Sequence, residues 1–256
     1  MLANVPFDAV ASTRSFRIAT ADIVAGIIAP ALAPAMSEKA PGISIQLLTA
    51  AQHSALALRA GEIDMVISPR EVITGLFLER PALKRDTAIE PLVKEPFVCI
   101  ARKDDKAFAR GLTVEEYLAR PHASFHLDVD FHASIEHRYL IEHDLVQFNR
   151  ILTSDFMVLP LIAARSDCIA LVPRSLARLA ARSLPLRIAP PPLPFPDLEL
   201  VMVWSKRRKH EPEMQWLRNT LRQCVAPLLE ESARRPPVAP ASGDAGVQSA
   251  RRHRPR

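Results

Sequence analysis

The chain has 256 residues, 48% of them apolar, and a formal net charge of +5. That length buries a sizeable core unaided, and its apolar runs are broken well short of the roughly 20 residues that span a bilayer, so no transmembrane helix is expected. Residues 232–256 carry six arginines against one acid while residues 1–231 hold 27 basic and 27 acidic side chains, so the folded part is neutral and lacks the basic footprint of a nucleic-acid surface.

Ser15 to Thr20 reads as a strand with Phe16 and Ile18 on one face, and Asp22 opens a helix. Ile23, Val24, Ile27, Ile28, Leu32 and Met36 recur in it at helical spacing. Pro30 and Pro34 each remove a backbone donor, which predicts a kink or an irregular turn, and Pro41-Gly42 stops the helix. Ile43, Ile45 and Leu47 alternate as a second strand, Ser54 to Ala60 makes a short helix ended by Gly61, and Ile63 to Ile67 is a third strand. Two successive βαβ units predict a parallel sheet. Leu92 to Lys94 and Phe97 to Ala101 follow as strands flanking Pro96, and the polar stretch Arg102 to Lys106 marks the end of a first lobe.

A second series repeats the pattern. Thr113 to Glu116 fits a capping box ahead of Tyr117 and Leu118; a strand near His122 to Leu127, a helix near His132 to His143 and a strand near Phe148 to Leu152 follow. A helix from Asp155 to Ala164, a strand Cys168 to Val172 and a helix after Pro173 complete it. The proline-rich stretch Pro190 to Pro196 then leads to a strand, Leu198 to Trp204, and a last helix striped by Met214, Leu217, Leu221, Cys224 and Leu228. The expected fold is α/β, two Rossmann-like subdomains joined by crossing strands. The first lobe takes residues 14–101 and 198–231, the second 102–197. Residues 1–13 read as the remnant of a linker, and residues 232–256 as a basic tail too poor in apolar side chains to offset the entropy of ordering.

Phe7-Asp8, Ser12-Thr13-Arg14-Ser15-Phe16-Arg17-Ile18, Ala40-Pro41-Gly42, Gly61-Glu62-Ile63-Asp64 and Ser166-Asp167-Cys168-Ile169-Ala170 with Pro173-Arg174 occur in that order. Pro191-Pro192-Leu193-Pro194 then leads to Trp204, His210, Pro212 and Trp216-Leu217-Arg218. This series resembles the effector-binding (substrate-binding) domain of LysR-type transcriptional regulators, in the NodD and aromatic-sensor-like subgroup, from about Phe7 to Leu229. The resemblance implies a fold of the type II periplasmic-binding-protein kind and a small organic effector, aromatic compounds among the candidates. It further implies a homodimer or tetramer signalling through ligand-dependent lobe closure and oligomer packing. DNA is bound in that family by a helix-turn-helix domain, and no such stretch precedes Phe7 here.

Ligands of open α/β sheets sit outside the carboxyl ends of the strands, where helix N-termini receive anions. That rule selects Thr20, Ala21 and Asp22, then Thr49 and Ser68, and in the second series His126, His132 and the turn Ser154, Asp155 and Phe156. Thr20, Asp22, Ser154 and Asp155 also have the composition of helix caps, and Phe156 that of ordinary core. His122, His126, His132, His137 and His143 fall close together beside several acids, yet none makes the His-x-x-x-His pair or Cys/His quartet of a zinc site; no metal and no cofactor is expected, and most read as surface residues.

Cys99, Cys168 and Cys224 stand apart in apolar stretches as reduced thiols do, and the N-terminus has no basic patch followed by an apolar run, so a cytoplasmic location is expected. Only seven glycines are present, with no phosphate loop, nucleophile elbow or zinc-protease motif, so no enzymatic activity is expected. The competing reading is a free-standing solute-binding protein of the same fold, which upstream sequence separates from a regulator: a signal peptide in one case, a helix-turn-helix in the other.

Overall fold

The computed structural model describes residues 7–51, 53–74, 81–126 and 134–233. In chain order its elements are β1 (Ser15–Thr20), α1 (Asp22–Lys39), β2 (Ser44–Thr49), α2 (Ser54–Ala60), β3 (Met65–Pro69), α3 (Arg70–Ile73), α4 (Pro81–Asp86), β4 (Thr87–Glu95) and β5 (Phe97–Arg102). Then come α5 (Lys106–Ala109), α6 (Val114–Ala119), β6 (Pro121–Phe125), α7 (Ile135–Glu142), β7 (Phe148–Thr153), α8 (Leu159–Ala163), β8 (Ala170–Pro173), α9 (Arg174–Ala181), β9 (Leu186–Ala189), β10 (Leu198–Ser205) and α10 (Pro212–Ala233). They form two compact units, one ending at Lys94 and resuming at Glu199, the other spanning Glu95–Leu198.

The first unit is built on a five-stranded sheet in the order β2-β1-β3-β10-β4. β1 runs parallel to both β2 and β3, and β10 returns antiparallel beside β3. Ala19, Val66, Val201 and Val203 of the sheet pack with Leu58 of α2 and Leu83 of α4. Phe16 stacks instead on Trp216 of α10, ring centroids 6.0 Å apart. Met214, Leu217, Leu221 and Val225 are the buried stripe of α10, each side chain contributing about 1.5–3 kcal/mol. Cys224 is only half-buried, and the side chain of Leu228 lies outside the described residues.

The helix α1 runs unbroken through Pro30 and Pro34, where the sequence predicts an irregularity. Both prolines sit on its exposed face, where the carbonyls they leave without donors can turn to water, while Ile23, Val24, Ile27, Ile28 and Leu32 are buried on the other side. Gly61 ends α2 in the left-handed region at φ 78°, as its position predicts. Gly42 is required for another reason: a Cβ there would lie 2.6 Å from the carbonyl oxygen of Ser12. Gly42→Ala is therefore expected to cost about 1–3 kcal/mol, measured by urea unfolding; unchanged stability would mean that the Ser12 segment is not held against this turn.

Asp64 ties the first unit's ends together. Its carboxylate accepts from the backbone N–H of Arg17 (2.7 Å), from Nη2 of Arg14 (2.9 Å) and from Nη1 of Arg208.

In the second unit β6 pairs in parallel with β7, and β5 lies antiparallel between β8 and β9. A parallel bridge between His122 and Ile169 joins the two ladders, with Ala123 N–H donating to Ile169 O at 2.9 Å and Ile169 N–H to Pro121 O at 3.0 Å. The spatial order is thus β7-β6-β8-β5-β9, which repeats the first unit's plan: a leading strand flanked by two parallel partners, then an antiparallel strand from elsewhere in the chain. β5 thereby corrects the sequence reading, which ended the first lobe at residue 101. Its ladder partners are β8 and β9, and the chain changes sheet at Glu95–Pro96, where proline has no N–H to continue a ladder. The strand β9, missed in the sequence, is four residues long and hemmed by Pro185 and Pro190. The prolines that follow are no free linker: Leu193 is buried, and Phe195 packs on Tyr139 (4.9 Å) and Tyr117 (6.1 Å).

At one point this unit's core is polar. The Tyr117 hydroxyl donates to Glu136 Oε1 at 2.6 Å, and His122 Nε2 lies 2.7 Å from Tyr117 O. Ser124 donates to Asn149 Oδ1 at 2.9 Å and accepts from Gln147 at 3.1 Å. Burial raises the pKa of Glu136 and pushes that of Tyr117 well up, and it lowers His122 to about 4.

Candidate functional site

In the first unit the strand register brings three of the selected residues to one sheet end. Thr20, the last residue of β1, stands opposite Thr49 of β2 and Ile67 of β3, and Ser68 follows directly. Thr20 and Ser68 are buried and Thr49 is exposed. Ala21, the N-cap of α1, has no side-chain group to cap it with, and the Thr20 hydroxyl turns to Ala21 O at 3.3 Å. An 18-residue helix thus starts at the carboxyl end of β1, with an alanine at its N-cap.

Sequence reasoning missed the residues just past β3. Arg70 donates to Glu199 of β10 at 2.8 Å and holds that carboxyl below its ordinary range. Beside it Glu71 keeps one buried carboxylate oxygen, Oε2, without a hydrogen-bond partner among the described residues. A four-residue helix has no apolar periodicity to announce it, so α3 left no trace in the pattern.

In the second unit His126 follows β6, and its N–H bonds Thr153 O of β7 at 2.8 Å. Its ring meets that of His137 edge-on at 5.8 Å. Ser154 is exposed, whereas Asp155 does cap the 3-10 turn Phe156–Val158, accepting from Met157 N–H at 2.8 Å. Phe156 is buried and stacks on Phe125, at the end of β6, with centroids 4.0 Å apart and planes 15° from parallel. His132 lies outside the described residues. His122 is not a surface residue: it is fully buried on β6. Among the described residues no three His, Cys, Asp or Glu side chains come together as metal ligands, and no helix is long and apolar enough to cross a membrane.

The LysR substrate binding domain matches residues 11–226. Nodulation protein D 2 of Rhizobium tropici is 29% identical over 228 residues, 89% of this chain and 69% of the relative. Nodulation protein D 3 of Rhizobium leguminosarum bv. phaseoli is 30% identical over 217 residues, 85% of this chain and 68% of the relative. The regulatory domain of MexT, a transcriptional activator in Pseudomonas aeruginosa, superposes with a TM-score of 0.69 at 26% identity, over 84% of this chain and 99% of that one. With a domain match along most of its length and two units of the same sheet order, the chain belongs to the LysR substrate binding domain family.

Proposed function

We propose that this chain is the sensor portion of a LysR-type transcriptional regulator and that it binds a small organic effector. One observation carries the reading: the N-terminus of α1 opens at the end of β1 beside Thr20 and Thr49, where backbone N–H groups and hydroxyls can receive a polar group of a ligand. In the second unit the stacked Phe125 and Phe156 favour an aromatic effector, and His126, Ser154 and Asp155 supply polar groups on the same turns. His132, on the same loop in sequence, is kept in the proposal.

Binding shifts the balance between two arrangements of the units, about the crossings at Lys94–Glu95 and Leu198–Glu199. Reversing such an equilibrium takes several kcal/mol of differential affinity. The readout is a change in the packing of a homodimer or tetramer. Exposed apolar surface supports assembly: Pro30, Ala33 and Pro34 on the outer face of α1, and Phe148, Ile151 and Leu152 on the edge strand β7. DNA contact belongs to a helix-turn-helix segment, since residues 1–231 carry balanced charge; the setting is the cytoplasm, and the chain performs no catalysis.

A thermal-shift screen against aromatic acids, flavonoids, amino acids and sugars tests this. A ligand at 100 times its dissociation constant is expected to stabilise the fold by about 2.7 kcal/mol, and silence across the panel would contradict a small-molecule sensor. X-ray scattering profiles that superimpose with and without a saturating hit would rule out rearrangement as the signal.

A further inference from the structure

Trp204, near the end of β10, and Arg218, on α10, form a buried stack in the first unit, with the guanidinium carbon 4.1 Å above the indole ring. Both are almost wholly buried, Trp204 at 2% and Arg218 at 7% exposure. Nη2 of Arg218 donates to Lys209 O at 3.3 Å. Nη1 of Arg218 and Nε1 of Trp204, however, are both buried without a hydrogen-bond partner among the described residues. Each is a donor and can be nothing else, since neither group has a lone pair to offer. Two orphan donors on one stack require an acceptor.

The local charge decides what kind. Glu90 of β4 is the acid whose field acts on Arg218, but its carboxylate is bonded to Arg222, one turn further along α10. Two guanidiniums therefore share the field of one carboxylate, and among the described residues Arg218 has a carbonyl and a π face but no carboxylate bonded to it. Guanidinium does not relieve burial by losing its proton, as a lysine would. A water molecule would satisfy the hydrogen bonds and leave the charge; a monovalent anion satisfies both.

We propose that the Trp204–Arg218 stack is a binding site for a small monovalent anion of the halide class, held by Nη1 of Arg218 and Nε1 of Trp204. The site stands apart from the strand ends where the effector is placed, and the inference does not depend on the sensor reading.

The test uses the purified chain in gluconate buffer, with chloride or bromide replacing gluconate at constant ionic strength. The chain has two tryptophans, so Trp216→Phe isolates the emission of Trp204 and keeps an aromatic ring against Phe16. Expected are a saturable rise in melting temperature with chloride and saturable quenching of Trp204 by bromide, both lost in Arg218→Met and weakened at least tenfold in apparent affinity in Arg218→Lys. If Arg218→Met does not fold, the Lys variant carries the comparison. A melting temperature and an emission indifferent to the exchange of gluconate for halide, or a halide response unchanged in the Arg218 variants, would overturn the proposal and leave a water molecule only at the stack.

Discussion

Replacing Asp64 by alanine is expected to destabilise the first unit by about 3 kcal/mol, read as a lower urea midpoint at unchanged slope. The carboxylate is buried and takes a backbone donor and two guanidiniums, one before β1 and one in the turn after β10. Removing one partner of a buried ionic cluster costs roughly 3–5 kcal/mol because the other is left unpaired. The low end applies here: Arg14 is 40% exposed and can turn to water, and Arg208 keeps Glu211 at 2.6 Å. Asp64→Asn retains an acceptor for the Arg17 N–H and should lose less. Equal losses for the two variants would show that charge, and not the backbone hydrogen bond, is what the site holds.

His122 is expected to make the second unit acid-sensitive. Tyr117 O can only accept, so Nε2 of His122 carries the proton and Nδ1 is a lone pair with no hydrogen-bond partner among the described residues, 3.9 Å from Glu136 Oε1. Burial is the main cause of its pKa of about 4, against 6.5 for a free histidine. Between those values the unfolded chain binds a proton that the folded chain does not, so His122 contributes stability above pH 6.5 that is lost as the pH falls towards 4, about 3 kcal/mol in all. Glu136 works in the other direction: its pKa is raised by burial, so its contribution is complete at low pH and fades as the pH rises. His122→Gln leaves the glutamate term in place. Its unfolding free energy is therefore expected to rise less steeply than the wild type's from pH 4 to 6.5, by up to one proton. Parallel curves would mean that His122 is equally protonated in both states.

The parts of the fold legible in the sequence are those written in local chemistry. Gly61 placed the end of α2, and the capping box at Thr113 and Glu116, present with both of its hydrogen bonds, placed the start of α6. The repeated βαβ pattern predicted the parallel pairing around β1, and with it the strand ends that carry Thr20, Thr49 and Ser68. What required the structure is ladder membership. Nothing in Phe97 to Arg102 says which sheet takes it, because a strand buried on both faces has no alternation to orient it. The burial of His122 was not legible for the same reason: on β6, Ala123 and its neighbours His122 and Ser124 are all buried, so polar residues that would mark a solvent face lie inside. Their partners Glu136, Gln147 and Asn149 come from α7, β7 and the turn between them, beyond the reach of any local pattern.

A small organic effector is proposed to bind at the strand ends of the first unit that carry Thr20 and Thr49. Calorimetric titration of the strongest stabiliser from the screen into the wild type, Thr20→Val and Thr49→Val tests this most directly, each variant first shown to be folded by circular dichroism. Both substitutions are expected to weaken binding at least tenfold, about 1.4 kcal/mol each. Affinities indistinguishable from the wild type in both folded variants would contradict the site.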